Sequence, residues 1–78
     1  MENFSRITLN QAIMGGKPCI RGMRVTVSMI IGLIASGYSN NDILELYPYL
    51  ELEDIHETLA YAAWRTAEFE IPLQLQAA

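Results

Sequence analysis

The sequence is short of the usual devices that stabilise a small domain. One cysteine, Cys19, excludes an internal disulfide, and one histidine, His56, leaves no Cys/His set for a structural zinc. No long hydrophobic run exists. The longest apolar-rich stretch, Met29–Ala35, is interrupted by Gly32 and falls far below the roughly 20 residues a membrane helix needs. Met1–Ser5 is polar and no apolar run follows it, so no secretory leader is expected. The lone free thiol suits a reducing compartment, with the cytoplasm as default. Positive charge is scarce, with five Lys and Arg against nine Asp and Glu, a net charge of −4. Such a chain is not a generic polyanion binder.

What is present is apolar and unevenly charged. Hydrophobic residues make up 51% of only 78 residues. A chain this short buries only about 60% of its unfolded surface. A homodimer, a higher oligomer or a bound partner is the expected source of further burial. Residues 1–38 carry Arg6, Lys17, Arg21 and Arg24 against Glu2. Residues 39–78 carry Asp42, Glu45, Glu51, Glu53, Asp54, Glu57, Glu68 and Glu70 against Arg65. Two surfaces meeting different things are implied.

The pattern predicts a single, mostly α domain: a three-helix bundle over residues 27–69, an extended or hairpin arm over 1–26 and a tail over 70–78. Arg6–Leu9 alternates as a short strand does. Cys19–Val27 reads as two extended runs around Gly22-Met23, which suits a type II′ turn. The first helix runs from about Val27 to Ser36, capped by Thr26 or Ser28 and ended by Gly37, with Val27, Ile30, Ile31 and Ile34 on one face. Ser39 and Asp42 make a capping box for a second helix through about Tyr47, where Pro48 stops it. Its buried face is Ile43, Leu44 and Tyr47. A third helix starts near Glu51 or Leu52 and reaches about Phe69, lining the core with Leu52, Ile55, Leu59, Ala62 and Thr66. Helix, short turn and helix follow the spacing of a helix-turn-helix of homeodomain-like type.

The run Gly16-Lys17-Pro18-Cys19-Ile20-Arg21-Gly22-Met23-Arg24-Val25-Thr26-Val27 resembles the domain-of-unknown-function family 433. The likeness continues through Ile31, Leu33, Gly37, Ser39, Ile43, Leu44, Tyr47 and Pro48 to Leu52-Glu53-Asp54-Ile55 and Leu59-Ala60-Tyr61-Ala62. The resemblance implies a helix-turn-helix-like antitoxin that neutralises a PIN-like ribonuclease by direct contact, with promoter DNA as a second ligand. Met23 and Glu51 depart from the family's pattern, which has Thr at the first and a short capping residue at the second.

Lys17, Arg21 and Arg24 form a basic hairpin that could sit on phosphates; alternatively Arg21 and Arg24 pair with carboxylates of the second or third helix. Glu51, Glu53, Asp54 and Glu57 crowd the start of the third helix and oppose major-groove reading there. Tyr61, Trp64, Arg65, Phe69, Ile71 and Leu73 are the candidate partner-binding residues, with Tyr61 and Trp64 equally able to complete the core from its side. Arg65 could also sit among a nuclease's metal ligands. Glu53 and His56 have half the spacing of a di-metal site but no second half. Cys19 has no base and orienting group beside it, and Gly15-Gly16-Lys17 lacks the rest of a phosphate loop. The expectation is therefore a non-enzymatic protein without catalytic residues, cofactor or metal. A stand-alone dimeric DNA-binding transcriptional regulator is the alternative.

Overall fold

The computed structural model describes the backbone of residues 4–77 and the side chains of residues 4–67. Along the chain come β1 (Ile7–Thr8), a tight turn at Met14–Gly16, β2 (Cys19–Ile20), α1 (Val27–Ala35), α2 (Asn40–Leu46) and α3 (Leu52–Ala77). β1 and β2 pair antiparallel, Ile7 with Ile20 and Thr8 with Cys19. Cys19 also bridges Thr26, so the chain reverses between them as the sequence predicts. The turn is centred one residue earlier than expected. The Met23 N–H donates to the Ile20 carbonyl at 2.8 Å, which makes Arg21 and Gly22 the central pair. Both have positive φ, +47° and +74°, the sign pattern of a type I′ turn and not of the expected type II′. β1 pins this register: the Arg21 N–H donates to the Arg6 carbonyl at 2.8 Å and the Gly22 N–H to Thr8 Oγ1 at 2.9 Å.

The three helices start where their side chains can satisfy free amides. Thr26 caps α1, accepting from the Met29 N–H at 3.1 Å, and the Met29 sulfur accepts in return from the Thr26 N–H. Gly37, at φ +98°, closes α1: its N–H reaches the Ile34 carbonyl and that of Tyr38 the Leu33 carbonyl, each at 3.0 Å. Ser39 and Asp42 form the expected capping box of α2, which ends one residue before Tyr47. α3 begins at Leu52 but does not end near Phe69. It continues to Ala77, through Pro72 and across the segment expected to be a tail. Proline removes one amide donor and crowds the preceding turn, which can kink a helix without ending it.

The core gathers Ile7, Ile20 and Val25 from the arm, Val27 and Ile30 from α1, Ile43 from α2, Leu50 from the following turn, and Ile55 and Tyr61 from α3. The inward face of α3 differs from the expected one. Asp54, Ile55, Thr58 and Tyr61 are buried, whereas Leu52 and Leu59 remain 41% and 42% exposed and Thr66 lies on the surface. Two polar residues take positions that leucine was expected to fill because both are satisfied there. The Thr58 hydroxyl donates to the Asp54 carbonyl at 2.8 Å, and the Asp54 carboxylate faces arginines of the arm. No helix of the described residues is long and apolar enough to cross a membrane. The altered face of α3 has a direct test in urea unfolding of dilute protein. Ile55→Ala is expected to cost about 2–5 kcal/mol and Leu59→Ala no more than about 0.5 kcal/mol; the capping change Thr26→Ala should fall between them at about 1 kcal/mol.

Candidate functional site

Asp54 is the electrostatic centre of the molecule. Its side chain is fully buried at the first turn of α3, yet four donors meet its two oxygens. Arg6 Nη1 reaches Oδ1 at 2.8 Å and Arg21 Nε reaches the same oxygen at 3.1 Å. Arg21 Nη2 reaches Oδ2 at 2.9 Å, as does the Glu51 N–H at 2.8 Å. An ionised carboxylate offers about four lone-pair sites, so the group is saturated. Glu51 extends the network by accepting from Arg6 Nη1 at 2.7 Å, and Glu57 accepts from the Arg6 backbone N–H. Arg21 Nη2 also donates to the Tyr49 carbonyl at 3.0 Å, tying the hairpin to the turn before α3. Glu51 does not cap α3 with its side chain. Asp54 caps in the reverse direction, from the third helical position back to the Glu51 amide.

Burial alone would raise the Asp54 pKa. The paired hydrogen bonds from Arg21, the Glu51 amide and Arg6 outweigh it and hold the carboxyl below the usual carboxylate range. Arg6 is pushed up by its hydrogen bonds to Glu51 and Asp54, and Arg21 by its hydrogen bonds to Asp54, so both arginines stay charged.

This arrangement redistributes the sequence candidates. Arg21 is committed to Asp54, the structural alternative named for it, while Lys17 and Arg24 are exposed. The three do not form a free basic patch. Tyr61 is buried in the core, with Phe4 packed edge-on at 5.5 Å, which removes it from the partner-binding set. Trp64 is 37% exposed and leans on Phe4 and Tyr61 at 5.7 and 5.9 Å. Arg65 lines a groove of about 540 Å³ between α1 and α3, together with Lys17, Pro18, Ile31, Ala62 and Thr66. Phe69, Ile71 and Leu73 lie outside the described side chains. Glu53 and His56 are exposed, and the described residues contain no cluster of three metal-ligating side chains. Cys19 is buried, its thiol directed to the Lys17 carbonyl at 3.3 Å.

Two features escaped the sequence reading: the part of Arg6 in the Asp54 cluster and the α1–α3 groove. The three-residue interval from Glu51 to Asp54 was a local sign of the reversed cap, but nothing local marks Arg6 as its partner. Asp54→Ala would leave two arginines facing an empty site and should cost about 3–5 kcal/mol in urea unfolding. A carboxyl with a depressed folded pKa contributes stability that is complete above its unfolded value, about 3.9, and is lost as pH falls through the lower folded value. The wild type should therefore lose stability on acidification below about pH 4, and Asp54→Asn should flatten that part of the profile.

The comparisons agree with this architecture. A crystal structure of a DUF433 member protein from Anabaena variabilis superposes with a TM-score of 0.72 at 25% identity, covering 81% of this chain and 61% of that one. The uncharacterized protein y4eO of Sinorhizobium fredii is 38% identical over 56 residues, 72% of this chain but a quarter of its own length. This chain thus spans only part of both relatives. The family model described as protein of unknown function (DUF433) matches residues 7–62, from β1, one residue after Arg6, through Arg21 and Asp54 to just past Tyr61, the last buried residue of α3 among the described side chains. The chain belongs to the DUF433 family.

Proposed function

We propose that this chain is a protein-binding module of antitoxin type, which neutralises a PIN-like ribonuclease in the cytoplasm by direct contact. The observation that carries the reading is the way α3 leaves the core. After Ala62, every residue from Ala63 to Ala67 is exposed, and the helix runs on to Ala77. Helices in proteins draw most of their stability from a packed face, so an extension of this kind is best explained by a partner that supplies the face. Trp64 stands at its base, a large aromatic of the type that dominates binding energy. Arg65, Phe69, Ile71 and Leu73 follow along the same helix as partner-binding candidates. The succession of α1, α2, a short turn through Pro48, Tyr49 and Leu50, and α3 supports a helix-turn-helix-like type. Promoter binding is secondary in this reading, because Arg21 is already neutralised and only Lys17 and Arg24 of the hairpin stand free for phosphates.

Purification of the tagged full chain from its host, with mass spectrometry of what accompanies it, tests the proposal. A PIN-like nuclease in stoichiometric amount is expected, its cleavage of RNA suppressed when the chain is added back. Truncation after Ala67 should abolish that complex. Recovery of the chain without a nuclease overturns the reading in favour of the dimeric DNA-binding regulator. That regulator must show promoter binding that falls steeply with salt and is lost on Lys17→Ala with Arg24→Ala.

A further inference from the structure

Trp64 is the only tryptophan of the chain, and part of what steadies it comes from outside its helix. Three rings meet where α3 leaves the core. Phe4 stands edge-on to Tyr61 at 5.5 Å, Phe4 and Trp64 lie 5.7 Å apart, and Tyr61 and Trp64 lie 5.9 Å apart. Residues three apart share one side of a helix, so Tyr61 flanks the indole along α3 and Phe4 closes on both from the arm. Phe4 in turn is fastened through its neighbours. The Ile7 N–H donates to the Phe4 carbonyl at 3.1 Å, which closes a turn around Ser5 and Arg6. Within that turn Arg6 binds Glu57 with its N–H, and Glu51 and Asp54 with its guanidinium, at or beside the first turns of α3. Tyr61 is buried, whereas Trp64 keeps 37% of its surface exposed. One part of the indole is packed and the rest is offered outward.

We propose that Phe4 is a positioning residue for Trp64. The seated arm holds the indole in one orientation, so the aromatic anchor of the partner surface is ordered before a partner arrives. This role rests on the part proposed for Trp64 in partner binding. A side chain already fixed loses little rotational freedom on binding, which is the general advantage of a rigid aromatic anchor. Phe4 and Trp64 both lie outside residues 7–62, the stretch matched to the family, and flank it on either side. They sit where one member of a family can differ from another in its partner without disturbing the shared core. The Asp54 cluster thereby gains a second consequence. By seating Arg6 it also seats Phe4, which connects the docking of the arm to the presentation of Trp64.

Near-UV circular dichroism of the full chain reads the order of its single tryptophan without any partner. The wild type should show resolved indole bands. Phe4→Ala should lose most of their amplitude and make Trp64 fluorescence easier to quench with acrylamide, while far-UV circular dichroism keeps its helical amplitude. Phe4→Tyr, which retains the ring, should restore the bands. Where Phe4→Ala also lowers the far-UV signal, Phe4→Leu decides, with weakened indole bands expected at full helicity. A wild type without resolved indole bands, or bands that persist unchanged in Phe4→Ala, overturns the proposal. Against the nuclease recovered in the purification above, Phe4→Ala should bind about twofold to tenfold more weakly, the cost of fixing one side chain. Equal affinity overturns the positioning role and leaves the protein-binding reading in place. A purification that yields no nuclease overturns that reading alone, and the indole bands still decide whether Phe4 orders Trp64.

Discussion

A buried carboxylate held between two guanidinium groups fixes how the parts of this domain lie against one another. Asp54 sits at the start of α3, Arg6 just before β1 and Arg21 in the turn after β2. Their union joins the arm to the start of α3, beside the packing of Phe4 on Tyr61 and Trp64. Buried ion pairs contribute little net stability compared with well-packed apolar residues, but an unpartnered charge in the same place is heavily penalised. The network thus selects one docking of the arm over its neighbours. Sliding the arm by one residue would remove Arg21 from reach and strand the carboxylate.

The same constraint explains a conflict between composition and charge. The basic residues of the first half look like a nucleic-acid surface when the chain is read in order, and the acids of the second half look like a solvated face. Folding brings the two together and cancels them at Asp54 and Glu51. Among what remains outward-facing are leucines of α3, a tryptophan at the edge and a groove with a cationic lining. The proposed protein-binding role rests on these features, and the remaining hairpin cations are too few to dominate the surface.

Local signals in the sequence were sufficient for local structure. Thr26, Ser39 with Asp42, Gly37 and Pro48 each mark a helix boundary because the physics of free amides and carbonyls acts within a few residues. The reversal between Cys19 and Thr26 was legible for the same reason, although its turn type was not, since β1 decides it from a distance. The face of α3 was misread because Leu52 and Leu59 satisfy a helical period as well as Asp54, Thr58 and Tyr61 do. Which stripe turns inward depends on the arm's arginines, whose pairing spans 33 and 48 residues of chain. The persistence of α3 beyond Pro72 was likewise beyond a local rule, as was the groove, which belongs to two helices at once.

The great separation in sequence between Arg6, Arg21 and Asp54 also sets an order of events. Contacts among α1, α2 and α3 close shorter loops than those between β1 and α3, so docking the arm carries the greater entropic cost. On this ground assembly is expected to proceed from the helices toward the arm, with the arm the first unit to detach when the native protein opens locally. In amide hydrogen exchange the β1–β2 pair should then open faster than the helices. The saturated carboxylate acts as a latch: while it holds, the strand pair and the core residues Ile7, Ile20 and Val25 that the arm carries stay seated on the helices.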